Sequence, residues 1–225
     1  MAITKEVLCL ANSRKLGGSC IAGLELAAGA ERPWIRPVSS RPHEEVSLVE
    51  QRYSDGRVPR VLDIIATPLI GPKPHGYQRE NWLLDPTKHW EQHGRFSVDD
   101  LRFLADAGGS LWENGFSTYY GLNDQVPVAV ANGVDHSLRF IHVQSCRLDV
   151  YASYNKRRVQ GVFRFDGKDY KLRVTDALIE KGYLAKEDGQ YESGECYLTV
   201  SLGEPFEGNA YKLVAAVIPA AGGVA

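Results

Sequence analysis

The stretch CRLDVYASYNKRRVQGVFRFDGKDYKLRVT, residues 146–175, determines how we interpret the rest of the chain. Apolar and polar residues alternate in three successive runs, which is the pattern of strands with one buried and one exposed face. Residues 153–156 separate the first two runs, and Asp166-Gly167 separates the second from the third. An Asp-Gly pair accepts positive φ at both central positions of a tight turn. The stretch therefore predicts a three-stranded antiparallel meander.

The exposed face of this predicted meander is basic and carries an aromatic ring. Alternation places six side chains on it: Arg147, Tyr151, Arg158, Arg164, Lys171 and Arg173. Residues 147–173 hold eight Lys or Arg against three Asp, whereas the whole chain has a formal net charge of -2. Potentials add over a patch, so this local excess can attract a polyanion. Exposed strand faces are also commonly charged without any ligand, and the sequence leaves both interpretations open.

The composition is that of an ordinary globular protein. The chain has 225 residues, of which 44% are hydrophobic and 24% charged, enough for one large or two small domains. No apolar run approaches the roughly 18 residues of a membrane span, and the first apolar run is too short for a signal peptide. We therefore predict a cytoplasmic protein without a membrane partner. The four cysteines form no CxxC pair, which favours buried free thiols.

The order of the predicted elements favours small closed barrels. Strand-like runs near the start are interrupted by Gly17, Gly18 and Gly23, where we expect bulges or the close approach of another backbone. After the meander come a short helix at 176–182 and two more strands, an order compatible with an OB-fold. We predict a mainly β (β-rich α+β) protein with an OB-like barrel at 1–75, a partly helical insertion at 76–135 and a second five-stranded OB-like barrel at 136–225.

Four short motifs support this interpretation: KLGGSCIAG (15–23), WIRPVS (34–39), SLGEPF (201–206) and YKLVAAVI (211–218). With them the chain resembles the bacterial dual OB-containing domain family. The resemblance implies a pair of OB-like barrels and a nucleic-acid-binding role, in some members in bacterial defence. It supplies no catalytic motif.

The first hypothesis is a non-catalytic protein that binds single-stranded DNA or RNA. OB-folds bind single strands by combining a basic groove with aromatic platforms, because every base offers a π-face and every phosphate a charge. Phe163 is the weakest aromatic candidate, since alternation turns it inward. The predicted binding residues are Tyr151, Tyr154, Arg158, Arg164, Lys171 and Arg173 in the second barrel, and Arg14, Lys15, Trp34 and Arg36 in the first.

The second hypothesis is an enzyme acting on a nucleotide or nucleic acid. The chain has no HExxH, HxH, DxD or GxSxG motif, which favours a protein without catalytic residues, cofactor or metal. His89 and His93 would share a face of a helix, as metal-binding pairs do, but the glutamate of HExxH is missing. Residues 13–19, with two glycines, could alternatively form an anion-binding nest.

The third hypothesis is a protein-interaction subunit. Residues 187–207 are acidic and include Tyr191 and Tyr197, which we expect to be exposed there. Salt distinguishes this hypothesis from the first, because phosphate binding weakens steeply as salt rises.

Overall fold

The computed structural model describes residues 3–26, 32–153 and 155–220. Contacts divide the chain into two compact units, Met1–Ser97 and Val98–Ala225. The strands of the first unit are β1 (Ile3–Lys15), β2 (Gly18–Glu25), β3 (Trp34–Val38), β4 (Asp63–Pro72), β5 (Asn81–Leu84) and β6 (Glu91–Arg95). Those of the second are β7 (Gln125–Pro127), β8 (Leu138–Ser153), β9 (Lys156–Phe165), β10 (Lys168–Val174), β11 (Gly189–Leu202) and β12 (Asn209–Pro219). The helices are α1 (Val128–Ala131) and α2 (Ala177–Leu184), with 3-10 turns at Pro42–Glu44 and Val98–Phe103.

The second unit contains a closed five-stranded barrel. Its strands pair in the order β8-β9-β10-β12-β11, and β11 returns to β8. Every pairing in this ring is antiparallel except β10 with β12, which is parallel. α2 lies in the chain between the third and fourth strands, and β7 adds to β12. This is the five-stranded Greek-key arrangement of an OB-fold.

The meander predicted from residues 146–175 is confirmed as β8, β9 and β10. Lys168 pairs with Phe165, so Asp166 and Gly167 alone form the turn. Their φ angles are 47° and 73°, as a type I′ turn requires.

The first unit repeats the same strand order. Its sheet runs β1-β2-β3-β5-β4, β4 closes onto β1, and β3 with β5 is the parallel pair. β6 adds to β4. The chain is thus mainly β with two OB-like barrels, as predicted. Two strands of this sheet, β5 and β6, lie within residues 76–135, the range predicted as an insertion. The domain limits at residues 75 and 135 stay a prediction.

Each unit has a buried core of its own. The four cysteines are free thiols, and Cys9, Cys146 and Cys196 are buried. The first core contains Val7, Cys9, Ile21, Ile35, Val46, Tyr53, Ile65, Leu69, Leu84 and Trp90. The second includes Ile141, Val143, Leu148, Val150, Val159, Phe163, Tyr170, Leu172, Leu198, Val200 and Val214.

The acidic segment differs from its prediction because β11 is long. Residues 189–194 belong to this strand and pair with β8 across two irregularities in register. Tyr191 is half-buried and donates to the Glu187 carbonyl at 2.9 Å. Tyr197 is only 7% exposed and stacks on Phe140, with ring centroids 5.7 Å apart. The expectation that both tyrosines are exposed is therefore wrong, since neighbouring rings and backbone cover them.

The predicted short helix after the meander is confirmed as α2, and Asp176 begins it. Asp176 Oδ1 accepts hydrogen bonds from the amides of Leu178 and Ile179, both at 3.1 Å. Its Oδ2 accepts from the amide of Val217 on β12, also at 3.1 Å. Burial raises the pKa of the Asp176 carboxyl, while these backbone hydrogen bonds act in the opposite direction. One side chain thus caps the helix and fixes it to a barrel strand.

Asp176→Ala is expected to lower the free energy of unfolding by about 2 kcal/mol, because it removes the cap and leaves the buried Val217 amide without its acceptor. Asp176→Asn keeps one carbonyl oxygen for the cap and is expected to lose less. Urea denaturation of the two variants measures both losses. An alanine variant as stable as the parent would contradict the assigned role.

Candidate nucleic-acid interface

The outer face of β8, β9 and β10 gathers the cationic side chains expected there. We call Arg147, Tyr151, Arg158, Arg164, Lys171 and Arg173 the basic face. The strand register places them side by side: Tyr151 lies opposite Arg158, Arg147 and Lys171 flank Val162, Arg173 lies opposite Gln160, and Arg164 lies opposite Asp169. Intervening residues such as Leu148, Val159 and Leu172 point into the core and are buried. In an OB-fold the second and third strands form the usual ligand face, and here these are β9 and β10.

Two arginines of the basic face are paired with aspartates on the same sheet. Arg147 Nε lies 2.7 Å from Asp149 Oδ1, and Arg164 NH1 lies 3.1 Å from Asp169 Oδ1. The Arg164 pair is well exposed on both sides. Exposed ion pairs contribute little stability, so a phosphate can compete for the arginine at small cost.

Arg158 and Lys171 form no ion pair with any residue that the structure describes. Lys171 Nζ lies 5.8 Å from the centre of the Tyr151 ring, within the range of a cation–π contact. Burial raises the pKa of the Tyr151 phenol, and the positive charges of Arg158 and Arg173 partly offset this. The face therefore combines available positive charge with a neutral aromatic ring.

Two further tyrosines, which the sequence analysis did not single out, join Tyr151. The Tyr120 ring centroid lies 5.6 Å from that of Tyr151, with the planes tilted by 36°. Tyr119 meets Tyr120 edge-on at 4.8 Å and is 92% exposed. We call Tyr119, Tyr120 and Tyr151 the tyrosine cluster. Aromatic rings of this kind are the platforms on which unstacked bases bind.

The segment carrying Tyr119 and Tyr120 is attached directly to the meander. Leu122 and Lys171 exchange backbone hydrogen bonds of 3.1 Å each, so the segment adds a bridge to β10. Gln160 Nε2 on β9 donates to the Tyr120 carbonyl at 3.0 Å. These bonds hold Tyr120 against the outer face of the sheet.

Asp124 shapes the turn that presents the two tyrosines. Its carboxylate accepts hydrogen bonds from the Thr118 amide at 2.7 Å and the Thr118 hydroxyl at 2.6 Å. A Cβ at Gly121 would collide with this carboxylate, so the turn needs glycine there. The backbone that carries the two tyrosines is thus fixed before any ligand arrives, which lowers the entropy lost on binding.

Lys212 on β12 binds the residues that precede Tyr119 and Tyr120 in the chain. Its Nζ donates to the Glu113 carbonyl at 2.6 Å and to Asn114 Oδ1 at 2.9 Å. The side chain is only 1% exposed, and burial lowers the pKa of its amine to about 8. Because its hydrogen bonds go to the segment, Lys212 has a structural role there.

The structure places one of the two remaining aromatic candidates. Tyr154 lies outside the described residues. Phe163 is 4% exposed and stacks on Tyr170 in the core, as its inward position in the alternation suggested.

The four candidates of the first unit differ in accessibility. Arg14 is exposed and Lys15 half-buried at the β1–β2 hairpin, and Trp34 is half-buried on β3. Arg36 is 2% exposed, and its NH2 lies 3.0 Å from Glu80 Oε1 in a buried ion pair. Its guanidinium therefore presents no surface to a phosphate in this structure.

The anion-binding nest and the histidine pair considered from the sequence do not have the backbone conformations that they require. Residues 13–19 form a hairpin in which Arg14 pairs with Ser19, so they are strand ends rather than a nest. His93 lies on strand β6 and not on a helix with His89; its Nδ1 lies 2.9 Å from Glu6 Oε1, which raises the pKa of the imidazole.

Neither a metal-binding cluster nor a membrane-spanning helix is found in the described residues. Within these ranges no group of three or more His, Cys, Asp or Glu side chains could hold a metal ion. No helix in the same part of the chain is long and apolar enough to cross a membrane.

Comparison with known proteins agrees with the two barrels and with the motifs at both ends of the chain. Neither the curated proteins nor the solved structures gave a significant match. The family model described as the dual OB-containing domain matches residues 5–217, nearly the whole sequence. The chain therefore belongs to the dual OB-containing domain family.

Proposed function

We propose that this protein binds single-stranded DNA or RNA without catalysis, through the basic face and the tyrosine cluster of the second barrel. The observation that carries the proposal is the contact of Tyr120 with Tyr151 beside Arg158 and Lys171. Such a surface offers stacking to bases and ion pairing to phosphates in one place. The defence setting implied by the family resemblance stays a prediction.

The chemistry of the surface favours a single strand over a duplex. The face of Tyr119 is exposed, and stacking on it requires a base whose own π-face is free. Bases within a duplex are already stacked on their neighbours, so a duplex could use only the positive charges. Single strands should therefore bind more tightly than duplex of the same length and charge.

Lys171→Glu is expected to weaken single-strand binding by about tenfold at low salt, because it replaces a phosphate partner with a like charge. Lys181→Glu is the matched control, since Lys181 is exposed on α2 and lies outside the basic face. Fluorescence anisotropy with labelled single-stranded DNA, single-stranded RNA and duplex, at low and near-physiological salt, measures the effect.

Salt-dependent binding that Lys171→Glu reduces and Lys181→Glu preserves would support the proposal. No binding to any strand at low salt would refute it, and equal losses in both variants would assign the effect to net charge alone.

The acidic segment 187–207 stays a proposed protein-binding surface. Glu195 there already contacts His142 at 2.8 Å, and Asp188 contacts Arg157 at 2.8 Å.

A further inference from the structure

A second cationic site lies in the first unit, remote in sequence from the basic face. A cleft of about 530 Å³ is lined by residues 56–63 and strand β6. Its charged and polar lining is Arg57, Arg60, Arg95, Asp63 and Gln92. We call it the arginine cleft.

Asp63 forms the fixed floor of the arginine cleft. The residue is 2% exposed, and its carboxylate accepts four hydrogen bonds. The donors are the Tyr53 hydroxyl at 3.0 Å, the Arg60 amide at 2.9 Å, Gln92 Nε2 at 3.0 Å and Arg95 NH1 at 2.9 Å. These bonds fix both walls of the cleft, so the arginines stand on a rigid base.

The charges of the lining do not cancel. Asp63 is the acidic side chain among the lining residues and faces three arginines, which leaves an excess of two positive charges. Asp55, outside the lining, pairs with Arg57 at 2.7 Å and reduces this excess. Arg60 is exposed, and its guanidinium has no hydrogen-bond or ion-pair partner among the described residues.

Phosphate chemistry matches this arrangement. Guanidinium groups bind phosphate oxygens through paired N–H donors. Gln92 positions one of them, since its Oε1 accepts a hydrogen bond from Arg57 NH1 at 2.8 Å. A phosphate monoester carries about −1.5 to −2 charge at pH 7, opposite in sign to the lining, which keeps an excess of one positive charge when Asp55 is counted. The cleft volume is in the range of small-molecule sites, so it has room for an organic group beyond a bare ion.

We infer that the arginine cleft binds phosphate monoesters of nucleotide size, either a free mononucleotide or the 5′-phosphate end of a nucleic-acid strand. This goes beyond the proposed function, because it places a second, independent site in the first unit and assigns it a terminal phosphate. The basic face recognises internal phosphates and bases, whereas the cleft recognises an end group.

Isothermal titration of the full chain tests the inference with adenosine monophosphate, adenosine and inorganic phosphate at low salt. Adenosine monophosphate should bind more tightly than the other two. Arg60→Gln should weaken its binding by about tenfold or more, since it removes a charged phosphate contact. Arg52→Gln, an exposed arginine outside the cleft, should leave it unchanged.

Short oligonucleotides with and without a 5′-phosphate distinguish the two sources of the monoester. Tighter binding of the phosphorylated oligonucleotide than of the mononucleotide, sensitive to Arg60→Gln, identifies the strand end; equal or weaker binding identifies the free nucleotide. The inference is overturned if adenosine or inorganic phosphate binds as tightly as adenosine monophosphate. It is also overturned if the monophosphate does not bind, or if Arg60→Gln binds it as tightly as the parent. Single-strand binding by the basic face can succeed or fail independently, because Lys171→Glu tests it separately.

Discussion

Replacing Gly23 with alanine is expected to destabilise the first barrel by about 3 kcal/mol or more. Gly23 lies on β2, paired with Cys9 of β1 and Ile35 of β3. A Cβ there would lie 2.7 Å from the carbonyl carbon of Leu8 and would overlap the Leu8 carbonyl oxygen. These are backbone atoms of a paired strand, so they cannot move aside without breaking the sheet next to the bulge between Cys9 and Ala11.

Gly94→Ala is the matched control within the same unit. Gly94 lies on β6, and the nearest atom to an added Cβ is Ile64 Cδ1 at 3.8 Å, an ordinary contact. Urea denaturation followed by tryptophan fluorescence reports on the first barrel through Trp90, which is fully buried in its core. A loss of less than about 1 kcal/mol in Gly23→Ala, or an equal loss in Gly94→Ala, would contradict the close approach.

The sequence predicted those features whose interacting residues are near each other in the chain. Asp166-Gly167 sets its own turn, and alternation on either side then fixes which side chains face outward. The short helix starting at Asp176 was also expected, and aspartate is among the preferred N-cap residues. For the same reason the side chains of the basic face lie on one side of the sheet, since adjacent hairpins leave little freedom of register. Their role in binding stays a prediction.

The sequence could not predict contacts between distant segments. The parallel pairing of β3 with β5 closes the first barrel, yet β5 has only four residues, too few for a recognisable alternation. The bridge between Leu122 and Lys171 likewise joins the middle of the chain to β10. Tyr119 and Tyr120 stand next to each other between turn-forming residues, which indicates exposed aromatic rings but not the face they would reach.

The sequence also could not show which charged side chains are buried. Arg36, beside Trp34, could pair with a carboxylate or with a ligand as far as the sequence shows, and its partner Glu80 comes from a separate part of the chain. A buried arginine whose partner is removed becomes an uncompensated charge in the interior, so this pair belongs to the structure of the first barrel. Tyr197 is another example, because Phe140, the residue that covers its ring, comes from a distant part of the chain.

Removing two rings of the tyrosine cluster is expected to have the largest effect on binding. Tyr120→Ala combined with Tyr151→Ala should lower single-strand affinity by about a hundredfold, since base–aromatic stacking contributes about 1–3 kcal/mol per base. The loss should persist at high salt, because stacking, unlike phosphate binding, releases no counterions. Fluorescence anisotropy over a salt series separates the two contributions.

Phe103→Ala controls for the loss of an exposed aromatic ring, since Phe103 is 69% exposed on the 3-10 turn and is not part of the basic face. Gly121→Ala tests the geometry without removing a ring. A Cβ there displaces the Asp124 carboxylate that shapes the turn, so affinity should fall although all three tyrosines remain. If the double alanine variant bound single strands as tightly as the parent, with the same salt slope, binding would be electrostatic and the tyrosine cluster would have no part in it. A loss in Tyr120→Ala with Tyr151→Ala matched by Gly121→Ala, with Phe103→Ala unchanged, would instead identify the fixed orientation of the rings as the source of single-strand affinity.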